Sequence, residues 1–567
     1  MPLPAVLGRA RRKVVRRATR LRWQVSRARP AARAGVAGSA MSAADLPPLT
    51  LVVVIDGLRP DSIDAADTPT LDRLRREGIA FEHAHSVFPT ATRVNAAAIA
   101  TGAYPGTNGI MHNTVYLPQV DAGAAMTTGR AADLLRAQSA LGGRLVLAES
   151  LGEMLAEHGM KLAAVSSAST GSALLLNPRA PEGVGVLVNG ELDPGVRVAY
   201  PDDVNRAILD RFGPAPRKAG HTRPRDALVR WTQQVLLEYV IPELAPDVVI
   251  DWFTEPDHMQ HAYGVGSPQA RAALQNVDRE IGRILETLER LDLRSRTNLF
   301  VLSDHGVTRN TESVDVARAL VDAGLKDGLR SEDVVVAGGG PSAQVHVRGH
   351  DPDLIERIVR FLQEQPWIGV VFTPRVDPAA TPTMRRQEGE GWVEGTFSLQ
   401  LAHAGNTQRG CDILFTLAWS DEANEFGVAG TEVTTTTEGA RAMHSGHGGL
   451  SPWAMRSTFF ATGPDLRAGS VSRLPVAQVD LVPTILHLKG IDGPGSIDGR
   501  VLREALRDAS EAKEVLPVSE DATGTETLTT QTADGRYRAS VQLSTVGGHR
   551  YLDEGRRLSA AVPARQR

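Results

Sequence analysis

Six residues able to bind a metal or move a proton occur at one kind of place in this sequence: beside short apolar runs. Asp56 follows LVVVI, Asp257 and then His261 follow VVIDWFTEP, and Asp304 and His305 follow LFVLS. His447 lies in the turn Ser445-Gly446-His447-Gly448, shortly before STFFAT. In open α/β sheets, ligands collect beyond the carboxyl ends of the strands, so these three carboxylates and three imidazoles are expected on one edge. Asp257 and His261 are four apart and share a face if their segment opens a helix. Mixed nitrogen and oxygen donors in this number suit two Zn2+ ions. A loop over Phe88–Asn113, with PTATRVN and TGAYPGTNGIMHN, is expected on the same side and contributes hydroxyl groups.

The elements that must position these residues are legible as a rhythm. LVVVI, KLAAVSS, DVVIDWF and TNLFVLS read as buried parallel strands, because continuous β-branched runs suit a sheet covered on both faces. Between them lie helical patterns. One runs from about Thr68 to Gly78, others fall within Arg130–Gly159 and Pro224–Tyr239, and a long one spans Ser267–Leu293. The alternation predicts an α/β fold with a doubly wound, mostly parallel sheet. Residues 310–440 break the rhythm; they are richer in Gly, Thr and Pro and read as an inserted, smaller α+β lobe with short strands at VVVAG and SAQVHV. The rhythm returns at STFFAT and in a helix expected over Val476–Leu488. The stretch QTADGRYRASVQL reads as a hairpin turning at Asp534-Gly535.

These boundaries give a basic, disordered arm over 1–45 and a catalytic domain in two parts, 46–309 and 441–510. The lobe over 310–440 interrupts that domain, and 511–567 form a C-terminal extension. The net charge of −4 conceals an asymmetry: residues 1–40 hold eleven Lys or Arg and no acid, leaving −15 on the rest. A single cysteine, Cys411, excludes an internal disulfide framework and thiolate metal clusters. No run of 18 apolar residues predicts a transmembrane helix, and the arm lacks the apolar core of a secretory signal, which points to the cytoplasm.

Taken together, the motifs resemble the type I phosphodiesterase/nucleotide pyrophosphatase family of the alkaline phosphatase superfamily. The resemblance rests on Asp56, on P-T-x-T-x-x-N at Pro89–Asn95, and on T-G-x-x-P-x-x-x-G-I at Thr101–Ile110. E-P-D-x-x-x-H at Glu255–His261, D-H-G at Asp304–Gly306 and G-H-G at Gly446–Gly448 complete it. It covers roughly residues 47–500.

The resemblance implies a metal-dependent hydrolase of phosphodiester or pyrophosphate bonds that works through a phospho-threonine. Thr92, rather than the neighbouring Thr90, takes the nucleophile's place. Two divalent ions, Zn2+ by the donor types, would be held by Asp257, His261 and His447 and by Asp56, Asp304, His305 and the Thr92 oxygen. Asn113 would donate to a phosphate oxygen. Coordination to a metal is what makes a threonine hydroxyl an effective nucleophile at neutral pH. The implied partner is a small phosphate ester, a nucleotide among the candidates, with no protein or nucleic-acid partner indicated.

Three positions depart from the family pattern. Arg93 stands where an aromatic usually follows the nucleophile, Trp252 where Tyr is frequent, and Asn108 where His is usual. Arg93 and Trp252 are the expected substrate contacts, and an arginine suits a second phosphate or a carboxylate. Arg93 therefore keeps open a phosphomonoesterase or a phosphonoacetate hydrolase on the same metal core.

Overall fold

The structure is a computed structural model that describes residues 43–193, 196–218, 220–375, 389–406, 408–437, 442–507 and 523–558. Most of the basic arm expected over residues 1–45 lies outside the described residues, as do parts of the expected lobe and extension.

Nine strands form the central sheet: β1 (Leu49–Ile55), β2 (Ile79–Phe81), β3 (Leu162–Ser166), β4 (Val186–Asn189), β5 (Ala199–Tyr200), β6 (Val248–Phe253), β7 (Thr297–Leu302), β8 (Phe459–Thr462) and β9 (Ser470–Ser472). Their spatial order is β9-β2-β8-β7-β1-β6-β3-β4-β5. Strands β7, β1, β6, β3 and β4 run parallel, while β8 is antiparallel to both β7 and β2. Every residue of β1, β6 and β7 is buried, because helices cover both faces and leave these strands no polar side.

The register sets the geometry of the edge. Ile55 pairs with Phe253 and Val54 with Leu302, so β1, β6 and β7 end side by side. Leu302 pairs in turn with Phe459 at the start of β8. The chain leaving three parallel strands and the chain entering one antiparallel strand therefore meet at a single edge.

The helices Pro69–Glu77 and Pro268–Arg290 match the apolar periodicity, and Ser267 caps the longer one by accepting the Ala270 N–H. Two local expectations are corrected. The loop expected over Phe88–Asn113 contains a ten-residue helix, Thr92–Thr101, in which every residue but Arg93 is buried, and a short helix, Pro105–Asn108. Its run of alanines gives no amphipathic signal because the helix is enclosed on all sides. The helix expected over Val476–Leu488 begins later. Val476–Ala477 form a strand beside Ala84–His85, a 3-10 turn follows, and the α-helix spans Leu481–Leu488.

Residues 334–417 contribute a five-stranded sheet and the helix Pro352–Glu364. Thr308–Val314, Trp419–Ala423, Ala429–Thr435 and Ser445–Gly446 make a separate four-stranded sheet. Strands Thr523–Gln531, Arg538–Val546 and His549–Arg557 form an antiparallel sheet, with Gln531 paired to Arg538 across the turn that holds Asp534-Gly535. Its residues Val546 and Tyr551 pack in one apolar cluster with Val87, Ala91, Val94 and Ala98, and so support the helix that begins at Thr92.

Candidate metal centre

Each strand end delivers its ligands for a local reason. Asp56 ends β1 and is followed by Gly57 at φ +68°; a Cβ there would also lie 2.9 Å from Gln260 Oε1 and 3.0 Å from Asp257 Cβ, so glycine permits both the turn and the close approach. Asp257 opens the helix Asp257–Tyr263, which puts His261 one turn further on the same face. Asp304 and His305 leave β7 directly. His447 is carried by the two-residue strand Ser445–Gly446, which pairs with Thr308–Arg309. Two overlapping groups lie within metal-binding range: Asp257, His261 and His447, and Asp56, Asp257 and His305, so Asp257 takes part in both, while Asp304, expected with Asp56, lies beside them 3.0 Å from His305 Nε2.

The three imidazoles are oriented alike. Their Nδ1 atoms face backbone carbonyls: His261 that of Ser445 at 2.7 Å, His305 that of Gly306 at 3.0 Å, and His447 that of Thr90 at 2.9 Å. A carbonyl only accepts, so each Nδ1 carries a proton and each Nε2 points toward the centre. His261 Nε2 lies 3.1 Å from Asp257 Oδ2, and His305 Nε2 lies 3.0 Å from Asp304 Oδ2 and 3.5 Å from Asp56 Oδ1. The His305 and His447 rings stack at 3.6 Å.

Lone pairs facing buried carboxylate oxygens repel unless a cation lies between them. Asp56 Oδ1, Asp257 Oδ1 and Asp304 Oδ2 are all buried without a hydrogen-bond partner among the described residues. The donor set therefore fits divalent cations with mixed His and carboxylate ligation.

The charges respond as such a cluster must. Burial, then Asp304 and Asp257, raise the Asp56 carboxyl well above its ordinary range. Burial and the neighbouring His305 push His447 well down, leaving it neutral. Burial opposes charge on both Asp257 and His261, yet their mutual attraction wins, lowering the acid and raising the imidazole. A cation bound there would take the place of that imidazole proton.

Thr92 opens its helix, with Oγ1 3.2 Å from His305 Nε2. Thr90 is engaged elsewhere: its hydroxyl donates to Gly449 O and accepts from Gly448 N–H, each at 2.9 Å. Asn95 secures the turn ahead of the helix, accepting from Val87 N–H and donating to the carbonyls of Val87 and Ala91. Asn113 Oδ1 accepts the Arg93 backbone N–H at 3.0 Å. Asn108, at the position that departs from the family pattern, holds its own loop by donating to Ala103 O and accepting from Ile110 N–H.

Trp252, expected as a substrate contact, is 1% exposed and its indole N–H donates to Asp56 Oδ2 at 3.2 Å. It lies in the apolar core, and in this structure it orients the Asp56 carboxyl group. Arg93 is partly buried beside Thr92, with its Nε enclosed and unpartnered.

Backbone contributors escaped the sequence reading. The carbonyls of Ser445, Gly306 and Thr90, which fix the imidazoles, are backbone groups with no residue-type signature. His112 is buried and held neutral, pushed down to about 4 by burial and by Arg93. It accepts the Asn113 N–H and contacts Ser342 Oγ at 3.0 Å, while Ser342 donates to Gly448 O at 2.5 Å. That chain ties the Asn113 loop to the His447 turn through a residue more than 200 positions away.

Residues 50–366, more than half of the chain, match the model of the family described as type I phosphodiesterase / nucleotide pyrophosphatase. The chain belongs to that family of hydrolytic enzymes. Human ectonucleotide pyrophosphatase/phosphodiesterase family member 7 is 26% identical over 46% of this chain and 47% of its own length. Venom phosphodiesterase 2 of Crotalus adamanteus is 27% identical over 45% of this chain and 26% of its own. The matches thus span a quarter to about half the length of these relatives. Among solved structures, an inactive variant of murine ectonucleotide pyrophosphatase/phosphodiesterase 5 in complex with AMP aligns over 78% of this chain and 96% of its own. The TM-score is 0.51 at 17% identity, a likeness of fold.

Proposed function

We propose that this chain hydrolyses phosphodiester or pyrophosphate bonds through a phospho-threonine at Thr92. The observation that carries this is the Thr92 hydroxyl at 3.2 Å from His305 Nε2, on the rim of a cluster with three unpartnered carboxylate oxygens. Asp257, His261 and His447 would hold one divalent cation, and Asp56, Asp304 and His305 a second, with Zn2+ favoured by the His-rich set. When bound, such cations supply Lewis acidity that activates a hydroxyl and neutralises charge on phosphate oxygens.

Thr92 Oγ1 bonds to phosphorus as the ester oxygen leaves in line; water then breaks the P–Oγ bond and restores the hydroxyl. The N-terminus of the helix Thr92–Thr101 favours the anionic phosphoryl group placed there. Asn113 Oδ1 is fixed by the Arg93 N–H, which leaves its Nδ2 to donate to a non-bridging oxygen as charge develops. The carbonyl-anchored imidazoles keep the donor geometry rigid. A nucleotide substrate agrees with the family and with the AMP complex of the solved relative.

A second reading, a phosphomonoesterase or phosphonoacetate hydrolase on the same ligands, is favoured by the cationic Arg93. The rates of zinc-loaded protein on an aryl phosphodiester and an aryl phosphomonoester decide between the two. A diester preference that disappears in Thr92→Ala, with a loss of about 10³-fold or more, is expected. A monoester preference would replace the proposal by the second reading, and undiminished turnover in Thr92→Ala would remove the nucleophile assignment.

A further inference from the structure

Arg93 directly follows the nucleophile position, and its guanidinium makes no hydrogen bond or ion pair among the described residues; its Nε is buried and unpartnered. A permanently charged group that has lost part of its hydration without gaining a partner is costly, and such a group is retained where a ligand supplies the partner. The residues around it do not supply one. Asp56, Asp257 and Asp304 attract it through space, but none pairs with it, and their free oxygens belong to the metal centre. Glu191, the other carboxylate acting on it, is already engaged by Arg225 and Lys218. His112 is neutral and accepts from the Asn113 N–H.

Gly129 lies against the guanidinium, and a Cβ there would sit 3.6 Å from Arg93 Nη2, in ordinary contact with it. The backbone N–H of Arg93 is committed to Asn113, which fixes the stem of the side chain beside the expected phosphate donor.

Building on the phosphohydrolase reading, we infer that the Arg93 guanidinium forms an anion subsite next to the reacting phosphorus. It selects substrates that carry a second negative group, a phosphoryl or a carboxylate, close to the scissile bond. The planar guanidinium donates to both oxygens of such a group, which an uncharged ester substituent cannot accept in the same way. Arg93 is thus a specificity-determining residue: it reads the group attached to the phosphorus and takes no part in bond breaking.

The test measures dissociation constants by calorimetry on zinc-loaded protein with three probes. Methylphosphonate carries one anionic centre, phosphonoacetate adds a carboxylate, and methylenediphosphonate adds a second phosphonyl group. At least one of the last two is expected to bind about 10- to 100-fold more tightly than methylphosphonate. Arg93→Gln is expected to erase that advantage and Arg93→Lys to keep part of it. Gly129→Leu, which sets a bulky side chain against the guanidinium and leaves the charge in place, is expected to reduce it as well and serves if Arg93→Gln does not fold. The probe with the larger advantage identifies the second group as phosphoryl or carboxylate. Equal affinity for all three probes, binding of none, or an advantage that survives Arg93→Gln would overturn the subsite. Turnover of bis(4-nitrophenyl) phosphate in the same preparation reports separately on the hydrolase reading, since its absence would sink that reading while the three affinities still decide the subsite.

Discussion

Trp252 shows how much a single side chain does outside the ligand set. Its N–H is the one side-chain donor to Asp56 among the described residues, and it holds Oδ2 while leaving Oδ1 free for the centre. Replacing it by Phe removes that bond and also leaves a smaller side chain in the core, which costs some stability. Donors behind metal ligands typically contribute 10- to 100-fold to affinity, so Trp252→Phe is expected to weaken zinc binding by about that factor. Competition with a chromogenic chelator measures it; an unchanged affinity would show that the indole only fills space. The two threonines of the P-T-x-T motif divide their work in the same way: Thr90 binds the His447 turn, and Thr92 faces the imidazole of His305.

Strand β6 carries a charge problem of its own. Asp251 is fully buried in the middle of the sheet, where burial pushes its carboxyl up to about 7 even though Gln233 donates to both of its oxygens. The unfolded chain ionises near pH 4, so between about pH 4 and 7 the folded form holds the extra proton. Stability from this group is therefore fully present below about pH 4 and is lost as the pH rises through 7. Asp251→Asn mimics the protonated acid and can donate to Gln233 Oε1, which has no partner. It is expected to raise stability by about 2 kcal/mol at pH 8 and to have little effect at pH 4.5. Urea unfolding at the two pH values checks this; a loss at pH 8 would mean that the ionised form is the one the fold uses.

Across the whole molecule, the centre joins distant segments: Asp56 and His447 are separated by almost 400 residues. Without cations, three buried carboxylates and opposed lone pairs meet at one edge of the main sheet, an arrangement that opposes folding. Ligands that bind only the native state raise its stability by mass action. Chelation is expected to lower the melting temperature by at least about 5 °C, and zinc to restore it with about two equivalents bound per chain. A melting temperature indifferent to chelator and zinc would argue against resident metal. The C-terminal sheet acts at this scale too, since Val546 and Tyr551 pack against Val94 and Ala98 behind the nucleophile position.

The six candidate ligand residues and the parallel-strand framework were legible in the sequence because most of their signals are local: a β-branched run that must be buried, an acid where it stops, and a histidine one helical turn later. The enclosed helix Thr92–Thr101 was not legible as an element, since a helix buried on every side has no polar face to give it a period. The late start of the helix Leu481–Leu488 was hidden because Val476–Ala477 is apolar in either conformation and takes up extended structure by pairing with Ala84–His85. The sequence by itself determined which side chains could hold metal and the order of strands and helices that would present them. Tertiary structure alone decided that Trp252 faces Asp56, that carbonyls of Ser445 and Thr90 orient His261 and His447, and that the Arg93 guanidinium has no partner among the described residues. The three contacts join residues 184 to 357 positions apart, and no local pattern of residue types encodes them.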